Sequence, residues 1–324
     1  MKMPLIVVVG PTASGKSHLA IELAGQFGGE IVSCDSVQVY KYLNIGSAKL
    51  TEAEQQGIPH HLIDLLEPDE PFTAGDYLRL GRQTLQEIRS RSRLPFVVGG
   101  TGLYLRALLE GLFQGPGRSE KLRQRLNNLA ERKGNPHLHR VLERVDPVSA
   151  RRITANDRHK MIRALEVFSL TAKPLSWHFH AGKSPLEGFE VLKIGLSPPR
   201  GLLYQLIESR VDQMFAGGLI EEVQSILARG YASELKPFES LGYFQVVRFL
   251  SGEISLGEAM TLTKQDTRRY AKRQLTWFRR EKECIWYDST GSDPQLQACA
   301  KATVAAFLKQ AGVESDLLDI TTRR

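Results

Sequence analysis

Residues 4–17 read PLIVVV GPTASGKS, and this stretch decides how the rest of the chain is read. Pro4 to Val9 is a short, unbroken apolar run, as expected of a parallel strand buried on both faces. Gly10-Pro-Thr-Ala-Ser-Gly-Lys16-Ser17 fits G-x-x-x-x-G-K-[ST]. From Lys16 the apolar period lengthens to that of a helix, with Leu19, Leu23 and Phe27 four residues apart, until Gly28-Gly29 stops it. A glycine loop between a buried strand and a helix N-terminus is the setting in which this motif binds phosphate. Backbone N–H groups of residues 12–17 can wrap an anion. Lys16 would reach a terminal phosphate, and the Ser17 hydroxyl would ligate a phosphate-bound Mg²⁺. The candidate phosphate ligands are Gly10, Thr12, Ala13, Ser14, Gly15, Lys16 and Ser17. The motif is that of nucleotide- and ATP-binding loops, so it predicts a phosphate compound before it predicts which one.

Outward from the loop, further strands are expected at Glu30–Asp35, His61–Leu66 and Leu94–Val98. Thr73 with Asp76 has the pattern of a capping box opening a helix to about Arg91, and Gly99-Gly100-Thr101 leads into a helix through Leu109. Alternating strands and helices predict an α/β fold, with a parallel sheet as the P-loop core. After Gly115-Pro116-Gly117 the chain turns to charged helical segments, such as Ser119–Lys133 and Asn156–Leu170, until strand character returns at Phe189–Leu196. Residues 112–187 are therefore read as a mainly helical insertion domain, and residues 1–111 and 188–324 as one discontinuous catalytic core. Helices are expected at Leu202–Phe215, Leu219–Ala228 and Leu256–Glu281, a last strand at Cys284–Tyr287, and a frayed end at Thr321-Thr-Arg-Arg324.

Composition narrows the class. The chain has 324 residues, 42% apolar and 24% charged, which is ordinary for a soluble globular protein. Its formal net charge of +7 favours a polyanionic partner. Three scattered cysteines, Cys34, Cys284 and Cys299, suit a reducing cytosol and supply neither a disulfide framework nor a zinc knuckle. The opening apolar run is too brief for a signal sequence, and no run of 18 apolar residues predicts a membrane span. A cytoplasmic location is expected.

Two strand ends carry candidate chemistry. Asp35 follows the second strand, at the sheet edge that also holds the P-loop, where ligands of open α/β sheets bind. It is either a carboxylate for a substrate near the phosphates or the cap of a turn. Thr101 is either a second ligand or the N-cap of its helix. A P-loop ATPase commonly ends another core strand in a magnesium-holding Asp, but Leu94–Val98 ends in Gly-Gly-Thr; Asp64 is the weaker substitute.

Together these segments resemble the tRNA dimethylallyltransferase (tRNA isopentenyltransferase) family. The matching segments are GPTASGKS at 10–17, SCDSVQVY at 33–40, VVGGTGLYL at 97–105, NDRHKMIRALEV at 156–167, SRVDQMFAGGLIEEV at 209–223, LGY at 241–243 and TRRYAKRQLTWFRR at 267–280. The resemblance implies that the loop holds the diphosphate of dimethylallyl diphosphate, with Mg²⁺, and that no ATP is used. It implies that Asp35 accepts a proton from adenine N6 and that Thr101 bonds the oxygen bridging allyl carbon and phosphate. Arg210 would contact the diphosphate, with Arg200 as the rival. The acceptor implied is the adenosine 3′ of the anticodon. No Cys/His pattern of the eukaryotic relatives' zinc finger follows, so the bacterial type is favoured.

For RNA, Arg269, Arg273, Trp277 and Arg280 fall near one stripe of a helix about 40 Å long, which is either a phosphate-and-stacking surface or a solvated face with Trp277 turned inward. The insertion contributes Arg118, Lys121, Arg123, Arg125, Arg132 and Lys133. The resemblance adds the segments Asp35, Ser36, Val37, Gln38 and His159, Lys160, Met161, Ile162, Arg163, with Thr101 and with Gly242 and Tyr243. Where relatives often carry a basic residue after this Gly-Tyr, the chain has Phe244. The expected partners are a tRNA anticodon stem-loop and dimethylallyl diphosphate, with no membrane, acting on a monomer. The alternatives are a small-molecule kinase, a transferase prenylating free adenine nucleotides, and a plain RNA-binding module.

Overall fold

A computed structural model describes residues 2–312 apart from 114, 181 and 183. The chain divides into two compact units, Met1–Leu108 with Leu186–Arg324, and Leu109–Pro185. In the first run are β1 (Met3–Val9), α1 (Lys16–Gln26), β2 (Gly29–Cys34), α2 (Glu52–Gln55), β3 (His60–His61), α3 (Ala74–Ser90), β4 (Leu94–Gly99) and α4 (Gly102–Glu110). The helical stretch that follows holds α5 (Glu120–Lys133), α6 (Asn135–Val145), α7 (Pro147–Ala150), α8 (Arg158–Thr171) and α9 (Leu175–His180). The chain then supplies β5 (Phe189–Leu196), α10 (Arg200–Ala216), α11 (Leu219–Ala228), α12 (Tyr243–Leu250), α13 (Leu256–Phe278), β6 (Cys284–Tyr287) and α14 (Pro294–Gln310).

All strand pairs are parallel, in the order β3-β2-β4-β1-β5-β6. β1 is central, with β4 on one side (Val9 opposite Gly99) and β5 on the other (Val9 opposite Gly195). From β1 the chain passes to one side of the sheet, and after β4 it crosses to the other. The P-loop at the end of β1 thus sits where the strand order reverses, the crevice that open α/β sheets use for ligands. Both faces of β1, β2 and β4 are covered, which is why these strands read as near-continuous apolar runs. Leu19, Leu23 and Phe27 of the first helical stretch pack on Ile6, Val8, Phe96 and Ile194 of the sheet, with Leu296, Ala300, Val304 and Leu308 of α14 in the same core.

The helical unit has its own core, in which Leu138 and Leu142 of α6 meet Met161, Ile162, Leu165 and Leu175. Its helices start on local signals: Ser119 accepts from the Leu122 amide, and Asp157 from that of Lys160. Thr73 and Asp76 form the reciprocal capping box of α3, and Ser255 and Glu258 that of α13.

Three expectations need correction. The third strand is only His60–His61, because Leu62 and Asp64 take positive φ (61° and 51°) that break the ladder, leaving a lone bridge between Tyr40 and Leu66. The long helix ends at Phe278, and residues 280 and 281 close it with turn bonds to Trp277 and Phe278. α2, α6, α7, α9, α12 and α14 are additional to the elements read from sequence. The expected frayed end at 321–324 lies outside the described residues. No helix among the described residues is long and apolar enough to cross a membrane.

Candidate active site

The P-loop turns on two left-handed residues, Ala13 (φ 62°) and Gly15 (φ 78°). Gly15 is required twice over: its φ disfavours a side chain, and a Cβ would stand 2.8 Å from the Gly291 amide nitrogen. The Gly291 amide in turn donates to the Ser14 carbonyl at 2.9 Å, so the loop after β6 braces the P-loop. Two amides expected to face an anion are already engaged: Thr12 N–H donates to Gln274 Oε1 at 2.8 Å, and Ser14 N–H to the Pro11 carbonyl at 3.3 Å. The amides of Ala13, Gly15, Lys16 and Ser17 have no partner among the described residues. Together with the start of α1 they form the anion-receptive face.

A cavity of about 200 Å³ opens here, lined among others by Thr12, Ala13, Gly15, Lys16, Ser17, Asp35, Gln38, Arg210, Tyr270 and Gln274. Lys16 is pushed down to about 8, chiefly by burial and then by the charge of Arg210, while Asp35 opposes the shift. Burial likewise holds Arg210 below its ordinary value, although a guanidinium stays charged. Two cations and one carboxylate therefore converge on a pocket without a resident counter-ion for the second cation. Arg200 is elsewhere: it lines a separate cavity with Lys272 and Arg279, and stacks over the Tyr204 ring at 5.1 Å. Among the described residues no group of three or more His, Cys, Asp or Glu side chains could hold a metal. A cation here would take its oxygens mainly from a bound anion, with the Ser17 hydroxyl as protein donor. Asp64 is not a candidate, since it pairs with Lys49 at 2.6 Å and does not line the cavity.

Asp35 caps its turn and also lines the cavity. Oδ1 accepts the amides of Val37 (2.8 Å) and Gln38 (3.3 Å), capping the turn after β2. Oδ2 bonds nothing among the described residues, and the residue lines the cavity. Gln38 accepts from the Ser33 hydroxyl and donates to the carbonyls of Ser47 and Ala48, two further lining residues. Ser36 and Val37 are half-buried on the turn and do not line the pocket. Thr101 stands two residues beyond the lining residue Gly99. Its carbonyl starts α4 by accepting from Tyr104 and Leu105. Its Oγ1 is buried without a partner among the described residues, a cost of about 1–3 kcal/mol that a ligand oxygen would relieve.

Among the expected RNA residues the structure separates exposed from committed groups. Arg269 and Arg273 are exposed on α13 and Arg280 just past its end, Arg269 pairing with Asp266 at 3.0 Å. His159 and Lys160 are exposed at the start of α8, where Lys160 pairs with Asp157. Several side chains are corrected. Arg123 forks onto Glu166 at 2.8 and 2.9 Å, and Arg163 meets the same carboxylate at 2.7 Å. Met161 (0% exposed) and Ile162 (4%) belong to the helical core. Tyr243 is fully buried, and Gly242 caps α12 by donating to Gln245. Trp277 is turned inward: Arg106 stacks on its ring at 4.4 Å, and a Cβ on Gly102 would stand 2.2 Å from it. Phe244 is exposed, with the Arg248 guanidinium 5.8 Å from its ring.

Sequence reading missed Tyr270 and Gln274, which stand four apart on α13 and face the pocket. Their spacing inside TRRYAKRQLTWFRR was the available signal. It also missed Glu222, whose carboxylate accepts the amides of Asn44, Ile45 and Gly46 and fixes the loop that carries Ser47 and Ala48.

Known proteins resemble this chain throughout. The family model described as IPP transferase matches residues 38–281, and that described as isopentenyl transferase matches residues 3–67. The tRNA dimethylallyltransferase of Solibacter usitatus is 52% identical over 308 residues, covering 95% of this chain and 100% of that protein. Its counterpart from Geobacter metallireducens is 48% identical, covering 90% and 94%. Among solved structures, the tRNA isopentenylpyrophosphate transferase of Bacillus halodurans superposes with a TM-score of 0.71 at 38% identity, covering 95% and 98%. A eukaryotic dimethylallyltransferase, in a study of its action on tRNA, does so with a TM-score of 0.80 at 26% identity, covering 96% and 80%.

Proposed function

The chain belongs to the IPP transferase family, and on that premise we propose that it transfers a dimethylallyl group from dimethylallyl diphosphate to N6 of the adenosine 3′ of the anticodon in tRNA, releasing pyrophosphate. The observation that carries this reading is the convergence of Lys16, Arg210 and Asp35 on one cavity at the switch point of the sheet. Anion-binding groups and a carboxylate in one pocket suit a reaction in which a diphosphate leaves and an amine loses a proton.

The allyl C–O bond breaks as the C–N6 bond forms. Lys16, Arg210 and the free P-loop amides balance the charge that accumulates on the departing diphosphate. The Ser17 hydroxyl, with oxygens of the diphosphate, would hold a Mg²⁺, which would supply further charge neutralisation. Thr101 Oγ1 donates to the oxygen bridging allyl carbon and phosphate, which satisfies a hydroxyl otherwise buried alone. Asp35 keeps its turn through Oδ1 and accepts the N6 proton on Oδ2, a base contribution of about 10²–10⁴-fold. The adenine amine needs this help because its lone pair is delocalised into the ring.

The base must leave its stack to enter the pocket, at a cost of a few kcal/mol. Arg269 and Arg273 on α13 and Arg280 just past it, with His159 and Lys160 on the helical insertion (residues 112–187), contribute phosphate contacts. Incubation with labelled dimethylallyl diphosphate and either tRNA or AMP tests the assignment. Label should enter tRNA and not AMP, without ATP consumption; equal transfer to AMP, or stoichiometric ADP release, would refute it.

A further inference from the structure

Gln274 sits near the end of α13 and is 6% exposed. Its amide is used at both ends. Oε1 accepts the Thr12 N–H at 2.8 Å, and Nε2 donates to the Gly100 carbonyl at 3.0 Å. These partners lie 262 and 174 residues away, in the two segments that the proposed chemistry requires. Thr12 opens the P-loop, and Gly100 precedes Thr101. β1 and β4 are paired only as far as Val9 and Gly99; beyond them, both chains are loop, and the side chain of Gln274 bonds to each.

The fit is close on the Thr101 side. A Cβ at Gly100 would stand 2.1 Å from Gln274 Nε2, and one at Gly102 would stand 2.2 Å from the Trp277 ring. The two glycines flanking Thr101 thus admit two α13 side chains one helical turn apart. Thr101 stands between the two glycines in sequence, its hydroxyl without a partner among the described residues. The two bonds also fix which end of the amide is oxygen, because an N–H faces one end and a carbonyl the other.

Resting on the function proposed above, we infer that Gln274 is a positioning residue that sets the spacing between the P-loop and Thr101, holding diphosphate and bridging oxygen in one register. It touches the reaction through these two segments. A misplacement of about 1 Å at such a point costs up to about 10²-fold in rate.

Two substitutions test the amide. Gln274→Glu keeps an acceptor for Thr12 N–H but sets a carboxylate oxygen against the Gly100 carbonyl. Gln274→Ala loses both bonds. With the full chain, Gln274→Glu, which sets a negative charge in the lining of the anion pocket, should bind inorganic pyrophosphate well over about tenfold more weakly than the wild type, and more weakly than Gln274→Ala. Its single-turnover transfer to saturating tRNA should slow about tenfold or more. Gln274→Ala should lose pyrophosphate affinity as well, by about tenfold. Transfer within about twofold of wild type in Gln274→Glu would overturn the inference, as would a wild-type pyrophosphate affinity in Gln274→Ala. If the wild type itself transfers no label to tRNA, the functional reading fails, and the pyrophosphate affinity of Gln274→Ala still decides whether Gln274 positions the P-loop.

Discussion

The hydroxyl of Tyr243 donates to Oε1 of Glu222 at 2.6 Å, and the same carboxylate accepts the amides of Asn44, Ile45 and Gly46. The LGY segment therefore shapes the pocket from behind, through the loop bearing Ser47 and Ala48, and offers RNA no free tyrosine. Tyr243→Phe removes one hydrogen bond to a charged acceptor. It should destabilise the fold by about 1.5–3 kcal/mol, read by denaturant unfolding, while tRNA affinity stays within about threefold. A large loss of tRNA affinity at unchanged stability would restore Tyr243 as an RNA contact.

A similar commitment holds Arg123. Glu166 is buried at 0% exposure and is lowered to about 2: burial opposes the shift, and it is outweighed by Arg123, the Ser119 amide and Arg163. Its folded pKa lies below the ordinary carboxylate value. The stability it contributes is thus complete above about pH 4.5 and is lost as pH falls toward 2. Glu166→Gln leaves two arginines without their counter-charge, and should cost about 3–5 kcal/mol at neutral pH. It should also flatten the acid limb of the unfolding curve. Unchanged neutral stability would show the network to be dispensable.

Lys16 gives the pH dependence of diphosphate binding. Burial and Arg210 push its ammonium down to about 8, so the free site loses one positive charge as pH rises through that value. The ligand's phosphate, with a second pKa of about 6, is already ionised there. Affinity for dimethylallyl diphosphate should therefore fall above pH 8, by up to about tenfold per unit, in a calorimetric titration series. Lys16→Arg should remove that slope, because a guanidinium does not titrate in this range. A flat wild-type profile would place the lysine outside the contact.

Arg273 on α13 and Arg280 just past its end are both exposed. Alanine at either should weaken tRNA binding evenly across sequences and reduce the salt slope by about 1. Dimethylallyl diphosphate affinity should not change. Loss of diphosphate affinity with tRNA binding intact would contradict the separation of these surfaces.

What the sequence made legible was local. The P-loop, the Asp35 turn and the Thr73–Asp76 capping box each depend on residues within a few positions, so spacing alone discloses them; the caps at Ser119 and Ser255, equally local, come from the structure. Arg210 and Arg200 are alike on paper, ten positions apart on α10, and only the fold shows that one lines the pocket and the other does not. Spacing marks Gln274 beside Tyr270, but the distant loops that Gln274 and Glu222 hold are shown only by the fold. Trp277 fits an arginine stripe by helical angle, but Gly102 and Arg106 draw it inward. The period of α14 was readable: Leu296, Ala300, Val304 and Leu308 recur every four residues, behind an Asp293 cap and a Pro294 start.

The account depends most on Asp35, with one oxygen in its turn and the other toward the pocket. Asp35→Asn keeps the acceptor for Val37 and removes the base, so folding and tRNA affinity should hold. The decisive measurement is the single-turnover rate with tRNA and dimethylallyl diphosphate both saturating, which isolates chemistry from binding and release. The account predicts a rate at least about 10²-fold below wild type. A folded variant that transfers at a near-normal rate would contradict it, and would leave Asp35 as the cap of its turn.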